Sequence, residues 1–307
     1  MSLRPSPPRR LFSRRLSVLP FCAALFIAGL GLTSVKAADA TPLHVVAAEN
    51  FYGDLVQQLG GPDVKITSIL SNPDQDPHLF EASPSTARAL KNAKLVIYNG
   101  ADYDPWMTKL LSASPSAGRQ IIVVADLVQA KSGDNPHLWY NLDNMSAAAK
   151  SVAAALAQLD ATHAADYQSR LANFLNSLQP LSAKVTAMHS AYAGTPVTAT
   201  EPVFGYMAAA IGLDMRNGRF QLSVMNDTEP SASDIAAFQD DLSQHRVHAL
   251  IYNRQTSDDL SRHLLDIAKQ GKVPVVGVSE TEPADHTYQE WMMQQLTALD
   301  QALASTK

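Results

Sequence analysis

The stretch from Thr162 to Tyr192, THAADYQSRLANFLNSLQPLSAKVTAMHSAY, decides the architecture. Within it Tyr167, Leu171, Phe174, Leu178, Leu181, Val185, Met188 and Tyr192 recur at intervals of 4, 3, 4, 3, 4, 3 and 4 residues, with no glycine before Gly194. That spacing draws one apolar stripe along a helix. A helix over residues 162–191 would be roughly 45 Å long. Pro180 should remove one backbone hydrogen bond and bend the helix without necessarily ending it. An ordinary buried helix would carry the same stripe. Its length, and its position between two sets of strand and helix patterns, favour a spine joining two domains.

On the N-terminal side, Leu43–Ala48, Val64–Leu70, Leu95–Tyr98 and Ile121–Val124 read as short apolar strands, with helices near Phe51–Leu59, Ser85–Lys91 and Trp106–Leu111. On the C-terminal side the strands are Val197–Thr200, Ala249–Tyr252 and Val273–Val278. The helices there lie near Phe204–Ile211, Ser233–Gln244, Asp258–Lys269 and Tyr288–Leu303. Strand–helix alternation predicts parallel sheets covered on both faces, an α/β class. The expected organisation is a signal segment 1–37, an N-terminal lobe 38–160, a linking helix 161–193 and a C-terminal lobe 194–307. No nucleotide loop, collagen period or solenoid period is present.

The first residues read as a targeting segment. Arg4, Arg9, Arg10, Arg14 and Arg15 precede an apolar run from Leu16 to Leu32, with small-residue cleavage sites ending at Ala37 or Ala40. This predicts export to the periplasm, by the Sec or the twin-arginine route. The single cysteine, Cys22, lies in that segment, so the exported chain would have only nitrogen and oxygen ligands for a metal. Cleavage after Ala37 removes six positive charges and no acid, taking the formal net charge from −5 to −11. An acidic exported chain is a poor nucleic-acid binder and a reasonable receptor for a cation.

Two phrases echo each other: Asp76-Pro77-His78-Leu79-Phe80 and Asn135-Pro136-His137-Leu138-Trp139. In each, proline stiffens the stem of a loop histidine, which suits an imidazole placed for a transition metal. Carboxylates at comparable places are Glu201, just after the strand Val197–Thr200, and Glu280, just after Val273–Val278. Both stand beyond the carboxyl ends of strands, where open α/β sheets bind ligands. Each has a plainer reading as well: Glu201 as a helix cap, and Glu280 as a solvated loop acid. His163, His189, His245, His248 and His263 read as surface or packing residues. His286, near Glu280, reads as solvated.

The chain resembles the periplasmic metal-binding receptors of zinc and manganese ABC importers. The resemblance runs from about Val45 to the C-terminus. It is carried by Ala48-Glu49-Asn50-Phe51, Asp76-Pro77-His78 with Glu81, and Asn135-Pro136-His137-Leu138-Trp139. Further markers are Phe204-Gly205-Tyr206, Ile211-Gly212-Leu213 and Tyr288 through Met292. It implies two parallel-sheet α/β lobes joined by one long rigid helix, with a metal cleft between them. By position it implies His78, His137, Glu201 and Glu280 as the metal ligands, with Glu282 competing for the fourth place. Trp139, Phe80 and Tyr206 would wall the site or its neighbouring core, and Glu81 would support or cap.

Zinc receptors of this type commonly have a third histidine where this chain has Glu201, together with a His-rich acidic loop that it lacks. The implied cargo is therefore manganese or zinc, with ferrous iron as a third candidate. The implied partner is an inner-membrane ABC permease, served by a monomer. The rival readings are an exported mononuclear metallohydrolase and a receptor for a metal chelate. Neither His-Glu-x-x-His nor Gly-x-Ser-x-Gly occurs, so the reading is a binding protein, not an enzyme.

Overall fold

Strand β1 (Leu43–Glu49) shows how each half is built. Val45 and Ala47 face a central apolar cluster, while Val46 and Ala48 face an outer cluster with Leu90, Val96 and Met107. A strand buried on both faces must be apolar throughout, which is why the pattern here is a run and not an alternation. The computed structural model describes residues 41–72, 80, 83–255 and 259–306. The predicted signal segment, with Cys22 and both cleavage sites, lies outside the described residues.

Strand β1 pairs in parallel with β2 (Val64–Leu70) and β3 (Leu95–Tyr98), and β3 with β4 (Gln120–Val123), in the order β2-β1-β3-β4. The second half repeats the plan. Its strands β5 (Pro196–Ala199), β6 (Asp214–Arg216), β7 (Leu250–Asn253) and β8 (Val275–Val278) run parallel in the order β6-β5-β7-β8. The two-sheet α/β class predicted from the strand pattern is the one found. Strand β6 was not anticipated, because three residues reading Asp-Met-Arg at a sheet edge carry no apolar run.

Helices α1 (Asn50–Gly60), α2 (Pro84–Asn92), α3 (Trp106–Ala113), α4 (Val124–Val128) and α5 (Leu142–Leu159) belong to the first half. The apolar stripe forms two helices, α6 (Ala164–Ser177) and α7 (Gln179–Tyr192), separated by Leu178. The break has a local cause. Pro180 has no N–H for the carbonyl of Asn176, and its ring crowds the preceding turn. Leu178 nevertheless keeps right-handed helical angles (φ −79°, ψ −15°), and Ser182 N donates to its carbonyl at 3.1 Å. Tyr167, Phe174, Leu178, Leu181, Met188 and Tyr192 are all buried in the central cluster.

The second half adds α8 (Gly205–Ile211), α9 (Gly218–Met225), α10 (Ala232–Ser243), α11 (Asp259–Gln270) and α12 (Tyr288–Ala304). Helix α12 opens on a capping box between Thr287 and Glu290, then packs against α7, β8 and α1. The central cluster joins both halves without a seam: Val45 and Ile97 from one sheet, Val197, Ile251 and Val278 from the other, and Trp291 and Leu296 from α12. Separate outer clusters close the far face of each sheet, one of them built on Phe220, Phe238 and Leu264.

Candidate metal centre

Parallel sheets send their strand ends to one side, and the chemistry collects there. Glu201 stands two residues beyond β5, Glu280 two beyond β8, and Asn253 is the last residue of β7. His137 lies in the loop that follows α4 and opens a 3-10 turn over Leu138–Tyr140. His137 and Glu280 are fully buried and Glu201 is 4% exposed. Glu201 begins the turn Pro202–Phe204 in extended conformation, yet its side chain makes no capping bond. The carboxylate accepts instead from Asn253 Nδ2 at 3.1 Å, and the same nitrogen donates to Glu280 Oε1 at 2.7 Å.

Glu280 Oε2 stands 3.4 Å from His137 Nε2. Two ligands held about 2.1 Å from one ion at a tetrahedral angle are about 3.4 Å apart, so this pair has the span of one edge of a zinc-like polyhedron. The state of the imidazole is set by its neighbour. Asn135 Nδ2 donates to the Pro202 carbonyl at 2.7 Å, which makes Oδ1 the acceptor side of that amide. This oxygen takes His137 N at 3.1 Å and Nδ1 at 2.6 Å. Nδ1 therefore carries a proton, and Nε2 is the ring nitrogen that faces Glu280. Tyr206 Oη donates to the Asn135 carbonyl at 2.8 Å, so the second half clamps the residue that orients His137.

Aromatic rings enclose this arrangement. Trp139 meets His137 edge-on at 5.3 Å and stacks on Phe51 at 4.4 Å. Phe80 packs on Trp106 at 4.3 Å, and Trp106 belongs to the outer cluster with Leu90 and Met107. Burial, followed by the charges of Glu280 and Glu49, pushes the Tyr103 phenol well above its ordinary range. Below it, Glu49 and Asp104 form a buried acid pair. Burial first, then the Asp104 charge, pushes Glu49 well up, and burial takes Asp104 to about 6. The amides of Asn99 and Gly100 donate to the two Asp104 oxygens at 2.7 and 2.8 Å.

His78 and Glu81 lie outside the described residues. Among the described residues, no three His, Cys, Asp or Glu side chains form a coordinating group, and the Asn253 amide stands between the two carboxylates. Glu282 faces elsewhere. Its backbone exchanges hydrogen bonds with Asn50 (2.7 and 3.0 Å), and burial, then Asp54 and Glu290, pushes its carboxyl to about 9. His286 is exposed, with Nδ1 against the Ala284 carbonyl. Asn135, Asn253, Tyr103 and the Glu49–Asp104 pair were not singled out by the reading of the sequence. Position would have found Asn253, which ends its strand much as Glu201 and Glu280 follow theirs.

Comparison with known proteins settles the family. The ZnuA family, zinc-uptake complex component A, periplasmic, matches residues 45–302. The chain belongs to this family. The iron ABC transporter substrate-binding lipoprotein MtsA of Streptococcus pyogenes is 25% identical over 217 residues, covering 65% of this chain and 70% of that protein. The metal ABC transporter substrate-binding lipoprotein SsaB of Streptococcus sanguinis is 22% identical over 287 residues, 87% and 91% of the two chains. The periplasmic zinc binding protein TroA from Treponema pallidum superposes with a TM-score of 0.74 at 21% identity, over 86% of this chain and 99% of that one, and so shares the fold. A ZnuA family member is a metal-binding receptor that serves a membrane permease, not an enzyme. Among the described residues no helix is long and apolar enough to cross a membrane.

Proposed function

We propose that the protein captures manganese or zinc, with ferrous iron as a third candidate, and delivers it to an inner-membrane ABC permease. His78 and His137 supply imidazole nitrogens, and Glu201 and Glu280 supply carboxylates that cancel the charge of the ion. The observation that supports this reading is His137 Nε2 standing 3.4 Å from Glu280 Oε2 in a fully buried setting, with the other ring nitrogen turned to Asn135 Oδ1. A cation between them would offset the cost of burying acids beside one another. The chain acts as an exported monomer, with a linking element over 161–193 between lobes 38–160 and 194–307. Its signal segment is cleaved near Ala37 or Ala40.

Ligands must be deprotonated to bind, so affinity falls toward low pH. Competitive titration of metal-free protein tests the ligand set. Glu201→Ala, His137→Ala and Glu280→Ala should each remove most of the affinity, while Glu282→Ala should leave it near the wild-type value. Unchanged binding in the Glu201 variant would overturn the assignment.

A further inference from the structure

The peptide that joins Ser279 to Glu280 is gripped at both ends. Its carbonyl accepts from Tyr140 Oη at 2.7 Å, and its N–H donates to Gln255 Oε1 at 2.5 Å. We infer that Tyr140 and Gln255 are positioning residues of the metal centre, which fix this one peptide plane and so aim the Glu280 carboxylate at His137 before any ion arrives. This rests on Glu280 being a ligand, as proposed above.

A peptide unit is planar, so holding both its oxygen and its nitrogen leaves it little freedom to rotate. The plane ends at the Glu280 Cα, and its orientation sets the direction in which that side chain departs. The two grips come from different halves. Gln255 stands two residues beyond β7. Its Oε1 also takes Thr281 N at 3.3 Å, and its Nε2 donates to Thr281 Oγ1 at 2.8 Å. Those bonds tie the loop to its own sheet. Tyr140 closes the 3-10 turn that His137 opens, so its bond relates the acid directly to the imidazole. Glu280 Oε2 stands 3.4 Å from His137 Nε2, a gap that a swing of the plane would change.

A phenol has one hydrogen, and two acceptor oxygens stand 2.7 Å from that of Tyr140, the Ser279 carbonyl and Gln295 Oε1. Among the described residues the Gln295 Nε2 group has no partner. Turned end for end, that amide donates to the phenol oxygen and leaves the phenol hydrogen to Ser279. Tyr140, Gln255, Ser279 and Glu280 are all buried, where a carbonyl deprived of its donor is costly. The Tyr140 ring meets Phe204 and Trp291 edge-on, contacts that a phenylalanine would keep.

Zinc serves as the probe ion, with affinity read by chelator competition. The proteins compared are the wild type, Tyr140→Phe, Gln255→Met, Glu280→Ala, and each of the first two variants combined with Glu280→Ala. Tyr140→Phe and Gln255→Met should each lose roughly tenfold in affinity. With Glu280 already alanine, neither should cost more than about a further twofold, because no carboxylate is left to aim. A loss of equal size with and without Glu280 would mark a general loosening of the core and overturn the inference. Unchanged affinity in either folded single variant would overturn it too. Thermal unfolding of the metal-free variants shows which of them fold; should one fail, the cycle built on the other decides. Unchanged zinc binding in Glu280→Ala removes the ligand assignment and this inference together. A loss there, without one in Tyr140→Phe or Gln255→Met, removes this inference alone.

Discussion

Gly205 and Asn135 approach so closely that a Cβ on the glycine would stand 2.7 Å from Asn135 Nδ2. The amide is held at that distance by its bond to the Pro202 carbonyl, and its other end orients His137. The glycine of the Phe-Gly-Tyr phrase is thus a space requirement of the histidine's support in the opposite half.

Gly205→Ala should push Asn135 off the Pro202 carbonyl. A lost, partly buried hydrogen bond costs about 1 kcal/mol. The thermal midpoint of the metal-free protein should fall by a few degrees. Metal affinity should fall with it, because the imidazole loses its fixed tautomer. Calorimetric unfolding and metal titration on the same sample would check both effects.

Asn135→Ala separates the two roles. Without the Oδ1 acceptor, His137 can place its proton on either nitrogen, and the affinity for zinc should drop by roughly 10–100-fold. Asn135→Asp keeps an acceptor for Nδ1 but cannot donate to Pro202, so it should recover part of that loss. Nitrogen-detected NMR of the His137 ring in metal-free protein would show Nδ1–H in the wild type and a tautomer mixture in the alanine variant.

Glu49 and Asp104 predict how stability depends on pH. Burial raises both acids, so the folded protein holds their protons more tightly than the unfolded chain does. Their contribution is fully present below the ordinary carboxylate range. It is lost as pH rises through about 6 for Asp104 and higher for Glu49. For Asp104, moved from 3.8 to about 6, this amounts to roughly 3 kcal/mol. Glu49→Gln copies the protonated form and offers Asp104 a donor. Urea unfolding at pH 5 and pH 8 should show a smaller stability difference in the variant, by about 1 kcal/mol or more.

Much of this was legible because burial on two faces writes itself into the sequence. The run Leu95–Tyr98 is a strand with those very limits, since β-branched residues on a covered sheet leave little else to read, whereas Val64–Leu70, an edge strand with Lys65 and Thr67 exposed, was legible from its β-branched residues alone. Asp214–Arg216 escaped because an edge strand needs no such run. The stripe of α6 and α7 was plain, while its break at Leu178 depends on what one proline does to the turn before it. At the site, Glu201 and Glu280 stood out as charges after strands, but Asn253 did not, because an amide announces no metal chemistry. The Glu49–Asp104 pair could not be read at all. Its members are far apart in the chain and meet only because β1 and β3 lie side by side.

The apolar mass shared by both sheets, the α6–α7 spine and α12 has a calorimetric consequence. A jaw that shuts on its cargo hides nonpolar surface and pays out a large negative heat-capacity change. Here the nonpolar surface is already hidden before the ion arrives. Loading should thus release nearly the same heat when titrated cold or warm, and the enthalpy should plot against temperature as an almost level line.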